Sequence, residues 1–307
     1  MPLKILFAAV LCAAAGMLAF AVRSAVRVYR LVKETGHPKR AAPAEMRNIP
    51  WRTRCFHFSS GDGLPLAAIQ YFPRGEAKGT IIACHYLGGS KTSVYSYIEP
   101  LLKAGYTIAA FDYPNHGGSG DRRGIRYSLE DDMKRFVCRI REIGLPEPYG
   151  TIGFSMGATI AFSAADNLPE LRAVVVDSGP MIFVRDYFRY VLNNKQVRNP
   201  LERSVFLFLY LHVVGFSRMQ KRTVERLKRM RALPTMLIHS KTDRIIPYRD
   251  AVYAHSLLNP ETAELITVEK AHHLTNRVVM GETYDALVVG FFDRWMSGEE
   301  AANPNMP

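Results

Sequence analysis

The stretch Tyr149–Ala158, YGTIGFSMGA, decides how the rest of the chain is read. Tyr149, Thr151 and Ile152 have the pattern of the end of a buried strand. Gly153, Phe154, Ser155, Met156 and Gly157 then give the spacing G-x-S-x-G. A strand that turns sharply into a helix brings its backbone close to itself. Glycines two before and two after the serine allow that crossing without a Cβ clash. The spacing therefore predicts a serine held in a strained backbone conformation, its hydroxyl pointing out of a sheet. The small-residue stretch Ala158–Ala165 is the expected helix that follows.

Working outward, Thr80–Leu87 and Thr107–Tyr113 are nearly continuous apolar runs, as parallel strands covered on both faces require. Helices are expected at Val94–Ala104 and Leu129–Ile143. Further strands are expected at Ala173–Val176, Thr235–His239 and Leu265–Val268, and a long closing helix at Arg277–Trp295. Upstream, Arg52–Phe58 and Leu66–Phe72 read as two strands joined by a turn at Gly61-Asp62-Gly63. The alternation of strand and helix predicts an α/β fold over residues 51–300, with a doubly wound, mostly parallel sheet.

Residues 181–231 interrupt the alternation. A crossover needs only a dozen or so residues, and this segment is long enough for several extra helices at about 11–12 residues each. It holds an apolar run, Val205–Leu211, too short to span a bilayer, and a basic helix candidate, Arg218–Arg231. We read it as a helical cap inserted in the domain and touching a membrane. The plainer alternative is a cap whose apolar run packs on the body and whose charges face water.

The chain has 307 residues and a formal net charge of +12. The excess is concentrated. Arg23–Arg54 carries nine Lys/Arg against two Glu, and Met181–Arg231 carries twelve against three acids. Nucleic acid and an anionic membrane surface are both partners for such segments, and the N-terminus favours the membrane. Ile5–Val22 is an uncharged run of eighteen residues, enough to cross a thin hydrocarbon layer as a helix. The helical pattern continues to Gly36, so residues 1–40 read as an anchor plus a juxtamembrane helix. Ala19-Phe20-Ala21 also matches a signal-peptide cleavage site, which leaves a secreted or periplasmic product as the alternative. Arg23, Arg27, Arg30, Lys33, Lys39 and Arg40 follow the apolar run, and their placement predicts a cytoplasmic catalytic domain. Cys12, Cys55, Cys84 and Cys138 show no metal-ligand spacing and there is no Asn-x-Ser/Thr sequon, which favours a reducing compartment.

The pentapeptide Gly153–Gly157 resembles the nucleophile elbow of the α/β-hydrolases. HYLGGS, after the strand from Thr80, resembles that family's His-Gly-x-Gly-Gly loop, with Tyr86 in the place of the first glycine. FDYPNHGGSG, Phe111–Gly120, resembles its D-x-x-G-H-G-x-S segment, with Asn115 at the first glycine. The matches run from about Arg52 to Trp295.

A serine alcohol needs a base to take its proton and an acid to orient the base. The resemblance implies the chain order Ser, Asp or Glu, His. Ser155 is the nucleophile. Asp243, in HSKTDRIIP, is the favoured acid, with Asp177 as the alternative. His272, in EKAHHLTN, is the favoured base, with its neighbour His273 as the alternative. The backbone amides of Met156 and Leu87 are the expected oxyanion donors. His85 reads as a loop-stabilising residue.

These readings imply a serine hydrolase acting on carboxylic esters, with lipid-like acyl substrates favoured by the anchor and the basic cap. No metal or organic cofactor is implied. A thioesterase, an acyltransferase using the same acyl-enzyme, and a catalytically silent binding protein are the alternatives. Nucleic acid is the less favoured partner, and nothing in the sequence reports on oligomeric state.

Overall fold

The computed structural model describes residues 2–40, 49–122 and 129–297. Most of the linker expected at Ala41–Pro50 and the tail after Ser297 lie outside the described residues.

Eight strands form one sheet: β1 (Thr53–Ser59), β2 (Pro65–Tyr71), β3 (Thr80–Cys84), β4 (Thr107–Phe111), β5 (Tyr149–Phe154), β6 (Leu171–Asp177), β7 (Thr235–Ser240) and β8 (Ala263–Val268). Their order is β1-β2-β4-β3-β5-β6-β7-β8. β3 to β8 run parallel, while β2 is antiparallel to both β1 and β4. The central strands β3, β4, β5 and β7 are buried at every position. That is why they read as continuous apolar runs, and why the edge strand β1 does not.

Helices cover both faces. Helices α3 (Leu129–Glu142) and α4 (Met156–Ala161) pack on one, with Phe58, Phe111, Phe136 and Phe162 at the centre. Helices α2 (Tyr95–Lys103) and α10 (Glu282–Met296) pack on the other, with Phe154, Tyr284, Phe291 and Phe292. Each such fully buried ring stabilises the fold by ~1.5–3 kcal/mol relative to exposure.

Three of the boundaries that differ from the sequence reading have a local cause. The closing helix is two helices, α9 (Asn276–Met280) and α10, because Gly281 takes φ 58° and ψ −134° between them. The elbow helix α4 lasts six residues and tightens into a 3₁₀ turn at Phe162–Asp166. Strand β3 stops at Cys84, where the chain folds into a turn closed by Gly89 N–H donating to the Tyr86 carbonyl at 3.0 Å.

Between β6 and β7 lie α5 (Val184–Asn194), α6 (Pro200–Phe208), a π-helical turn at Leu209–Val214, and α7 (Phe216–Arg229). α6 starts on a side-chain cap, with Asn199 Oδ1 accepting the amides of Leu201 and Glu202. The apolar run foreseen at Val205–Leu211 divides: Phe206, Tyr210 and Leu211 are buried, while Val205 and Phe208 are exposed.

The first helix, α1, is continuous over Pro2–Gly36. Within it Leu11–Glu34 is long and apolar enough to cross a membrane, with a mean hydropathy of 1.6. Its two halves differ. Phe7, Leu11, Met17, Leu18, Phe20 and Val22 are exposed. Ser24, Val28, Leu31 and Val32 are buried, a helical stripe at intervals of four, three and one. Val28, Leu31 and Val32 share a separate apolar cluster with Phe188, Phe206 and Tyr210 of the segment between β6 and β7. α8 (Tyr248–Ser256) lies between β7 and β8.

Candidate active site

Ser155 sits between β5 and α4 with φ 54° and ψ −113°. A non-glycine residue rarely adopts a positive φ, so the turn stores strain that the surrounding packing must hold. The flanking glycines make the turn possible. A Cβ on Gly153 would lie 2.4 Å from the Gly157 carbonyl oxygen, and one on Gly157 would lie 2.1 Å from that of Cys84. The Ser155 amide donates to the Asp177 carbonyl at 2.9 Å. The elbow is thus tied to the end of β6, and its side chain is only just reached by solvent.

The Ser155 hydroxyl lies 2.7 Å from Nε2 of His273. Nδ1 of the same ring lies 2.7 Å from Oδ2 of Asp243. Since a carboxylate only accepts, Nδ1 carries the proton, and Nε2 is left to accept from the serine. The other carboxylate oxygen, Oδ1, accepts the amides of Ile245 at 2.8 Å and Ile246 at 3.1 Å. Buried His239 donates from Nε2 to the Ile246 carbonyl at 2.9 Å and fastens the same turn from behind.

The structure therefore brings together Ser155, Asp243 and His273, and not His272. His272 is exposed, and its carbonyl accepts the Thr275 amide at 3.0 Å. The reason is the turn after β8. Ala271 is pinned to β7 by its amide, which donates to Ser240 Oγ at 2.9 Å, and by its carbonyl, which accepts from Thr242 Oγ1 at 3.0 Å. Two residues after Ala271 the chain faces the serine. One residue after, it faces water.

Asp177, the alternative acid, does not reach the imidazole. It is fully buried and anchors the loop that carries His273. Its Oδ1 accepts from Ser178 Oγ at 2.7 Å and Asn276 Nδ2 at 2.7 Å, and its Oδ2 accepts from Tyr284 OH at 2.8 Å. Burial raises its pKa, and the three donors oppose that rise. Ser178 Oγ in turn accepts the Leu274 amide at 3.1 Å, while Tyr97 OH donates to the Leu274 carbonyl at 2.6 Å. Asn276, Ser178, Tyr97 and Tyr284 were not foreseen. Asn276 stands inside the quoted EKAHHLTN, but nothing in its type or spacing sets it apart.

The amides of Met156 and Leu87 donate to no backbone or side-chain acceptor among the described residues. Met156 opens α4, where helix geometry leaves the amide free. Leu87 lies on the turn after β3, which closely approaches α4 at Gly157. His85 fixes that turn. Its Nδ1–H donates to the Tyr86 carbonyl at 2.8 Å, and its Nε2 accepts the Tyr113 amide at 3.3 Å. Burial pushes its pKa down to about 3, so the ring is neutral. Gly88, in the same turn, lies close to Pro38 and Lys39, which follow α1. Arg40 next to them donates to the carbonyls of His116, Gly117 and Ser119.

A family model for the alpha/beta hydrolase fold matches residues 79–202. An esterase from Pyrococcus furiosus superimposes with a TM-score of 0.70 at 22% identity, over 85% of this chain and 98% of that one. A monoacylglycerol lipase from Paleococcus ferrophilus does so with a TM-score of 0.56 at 22% identity, over 74% and 97%. Among curated proteins, the dihydrolipoyllysine-residue acetyltransferase component of the acetoin cleaving system of Cupriavidus necator is 29% identical over 128 residues, 42% of this chain and 33% of that protein. The chain spans between 30% and 44% of the length of the curated relatives it matches. The family model falls on β3 into α6, the part that holds the serine turn, and the superpositions extend over most of the chain: this chain has the α/β-hydrolase fold.

Proposed function

We propose that this protein hydrolyses carboxylic esters through an acyl-enzyme on Ser155. The observation that carries the reading is the unbroken pair of 2.7 Å contacts from Ser155 Oγ through the His273 ring to Asp243. Ser155 Oγ attacks the acyl carbon while His273 Nε2 accepts its proton. Asp243 holds the tautomer and stabilises the imidazolium that forms. The amides of Met156 and Leu87 receive the oxyanion. The tetrahedral species collapses, His273 returns the proton to the departing alcohol, and a water then repeats the sequence to release the acid.

The favoured substrates are lipid-like acyl esters, such as a monoacylglycerol or lysophospholipid. Support comes from the exposed apolar half of α1, which we read as a membrane anchor with the catalytic domain on the cytoplasmic side. The segment between β6 and β7 is then a cap attached to that anchor. Rates for wild type and Ser155→Ala across p-nitrophenyl esters of rising chain length test both parts. Loss of turnover in Ser155→Ala with a preference for long chains is expected. A short-chain-only profile removes the lipid part, and an unaffected Ser155→Ala removes the mechanism.

Acyl transfer is the second reading, favoured by the acetyltransferase name of the Cupriavidus relative. Product analysis with a competing alcohol separates the two, since transfer yields a new ester in place of the free acid.

A further inference from the structure

α1 and α6 lie side by side and run in the same direction. Glu202, near the start of α6, is 5% exposed and accepts from Ser24 Oγ at 3.0 Å and Arg27 at 3.2 Å. Tyr210, two turns further on, donates to the Val32 carbonyl at 3.0 Å. The beginning of α6 is therefore level with Ser24, just after the exposed apolar residues Met17, Leu18, Phe20 and Val22 of α1. The preceding α5–α6 turn is at the same level, because Arg27 also donates to the Gln196 carbonyl at 3.4 Å.

Two kinds of side chain stand at that level. Leu201 is 59% exposed, and Val205 and Phe208 follow it on the same exposed face of α6 at intervals of four and three. Arg198 and Arg203 line a recess of about 430 Å³ together with Asn193, Gln196 and Val197. The carboxylate amid these charges, Glu202, is already engaged by Ser24 and Arg27. An apolar ridge with a cationic recess beside it matches the layering of a phospholipid leaflet, acyl chains next to phosphates.

We propose that the α5–α6 turn and the first turns of α6 rest in the headgroup layer of an anionic phospholipid bilayer, with Leu201 among the acyl chains and Arg198 and Arg203 on lipid phosphates. This rests on the reading of α1 as bilayer-inserted. It adds that the cap is a second point of insertion, fixed in depth by the Glu202 clasp to α1. Because α6 runs away from the exposed half of α1, depth decreases along the ridge: Leu201 deepest, then Val205, then Phe208.

The test uses the full-length protein with its exposed cysteines, Cys12, Cys55 and Cys138, changed to serine. Single cysteines then carry an environment-sensitive fluorophore at Leu201→Cys, Val205→Cys, Phe208→Cys or Met17→Cys. A fifth protein keeps native Cys55, on the far edge strand β1. Each is reconstituted in phosphatidylcholine/phosphatidylglycerol vesicles with and without lipid-borne quencher. Expected is at least about a twofold loss of emission at Met17 and Leu201, less at Val205, least at Phe208 and none at Cys55. Arg198→Glu should roughly halve the quenching at Leu201 while leaving Met17 unchanged. If Met17 is quenched and Leu201 behaves like Cys55, the cap contact is overturned and the anchor stands. If Met17 is not quenched, the anchor reading falls and the cap contact with it.

Discussion

Asp177 Oδ1 accepts a hydrogen bond from Asn276 Nδ2 at 2.7 Å, joining the end of β6 to the loop that holds His273 three residues earlier. Among the described residues Asn276 hydrogen-bonds to Asp177, Ser178 and Ile238 and to neither Ser155 nor Asp243, so its effect on the site is exerted through the placement of His273. A buried carboxylate that loses one of its donors costs about 1–3 kcal/mol, and an ångström of displacement at a reacting group can cost about 100-fold in rate. Asn276→Ala should therefore lower kcat by about 10- to 100-fold with KM little changed. A variant that raised KM alone would assign Asn276 to the substrate pocket instead. Steady-state kinetics with circular dichroism as a folding control decides.

The adjacent imidazoles provide a matched pair. His273→Ala removes the ring that, alone among the described residues, is hydrogen-bonded to the serine, and kcat should fall by about 10³-fold or more. His272→Ala removes an exposed ring and should change kcat by less than about twofold. Fluorophosphonate labelling should follow the same order. An inversion of the pair would mean that the loop rearranges when substrate binds.

The fold was legible because its central strands are buried on both faces, which leaves long apolar runs such as Thr80–Cys84 and Thr107–Phe111. The serine turn was legible because Gly153 and Gly157 meet a steric demand that only glycine satisfies. The choice between His272 and His273 was not. It depends on where Ser240 and Thr242 pin Ala271 across two strands, and residue spacing carries no trace of that. Asp177 was visible as a strand-end carboxylate, but whether it faces the imidazole or Asn276 and Tyr284 is a question of three-dimensional direction. The docked half of α1 was hidden for a similar reason. Its buried stripe is apolar apart from Ser24, and a membrane span is apolar too.

Gly157→Ala tests the close approach behind the serine turn. The added Cβ would meet the Cys84 carbonyl oxygen at 2.1 Å, a backbone atom that cannot swing aside. Overpacking of this kind costs about 1–3 kcal/mol, and here it also pushes on the turn that carries Leu87. Thermal unfolding should show a lower Tm, and activity should fall further than the stability loss explains. Gly290→Ala in α10 has open space around its Cβ and should instead stabilise by about 0.5–1 kcal/mol. Equal effects at the two sites would contradict the steric argument.

His85 makes the turn beside Leu87 sensitive to acid. Burial favours its neutral form in the folded chain and pushes its pKa from 6.5 down to about 3. The unfolded chain takes up the proton first as pH falls, so unfolding gains from acidification while the fold does not. The contribution of His85 is complete above about pH 6.5 and is lost progressively as pH falls toward 3. Between pH 7 and pH 5 the loss should be on the order of 2 kcal/mol. A glutamine can reproduce both contacts, donating to the Tyr86 carbonyl and accepting the Tyr113 amide, without taking a proton. His85→Gln should therefore flatten the pH dependence of the urea midpoint over this range by that amount. Buried His116, whose pKa burial also lowers, would keep its own share of the slope. A variant as acid-sensitive as the wild type would place the titrating group elsewhere.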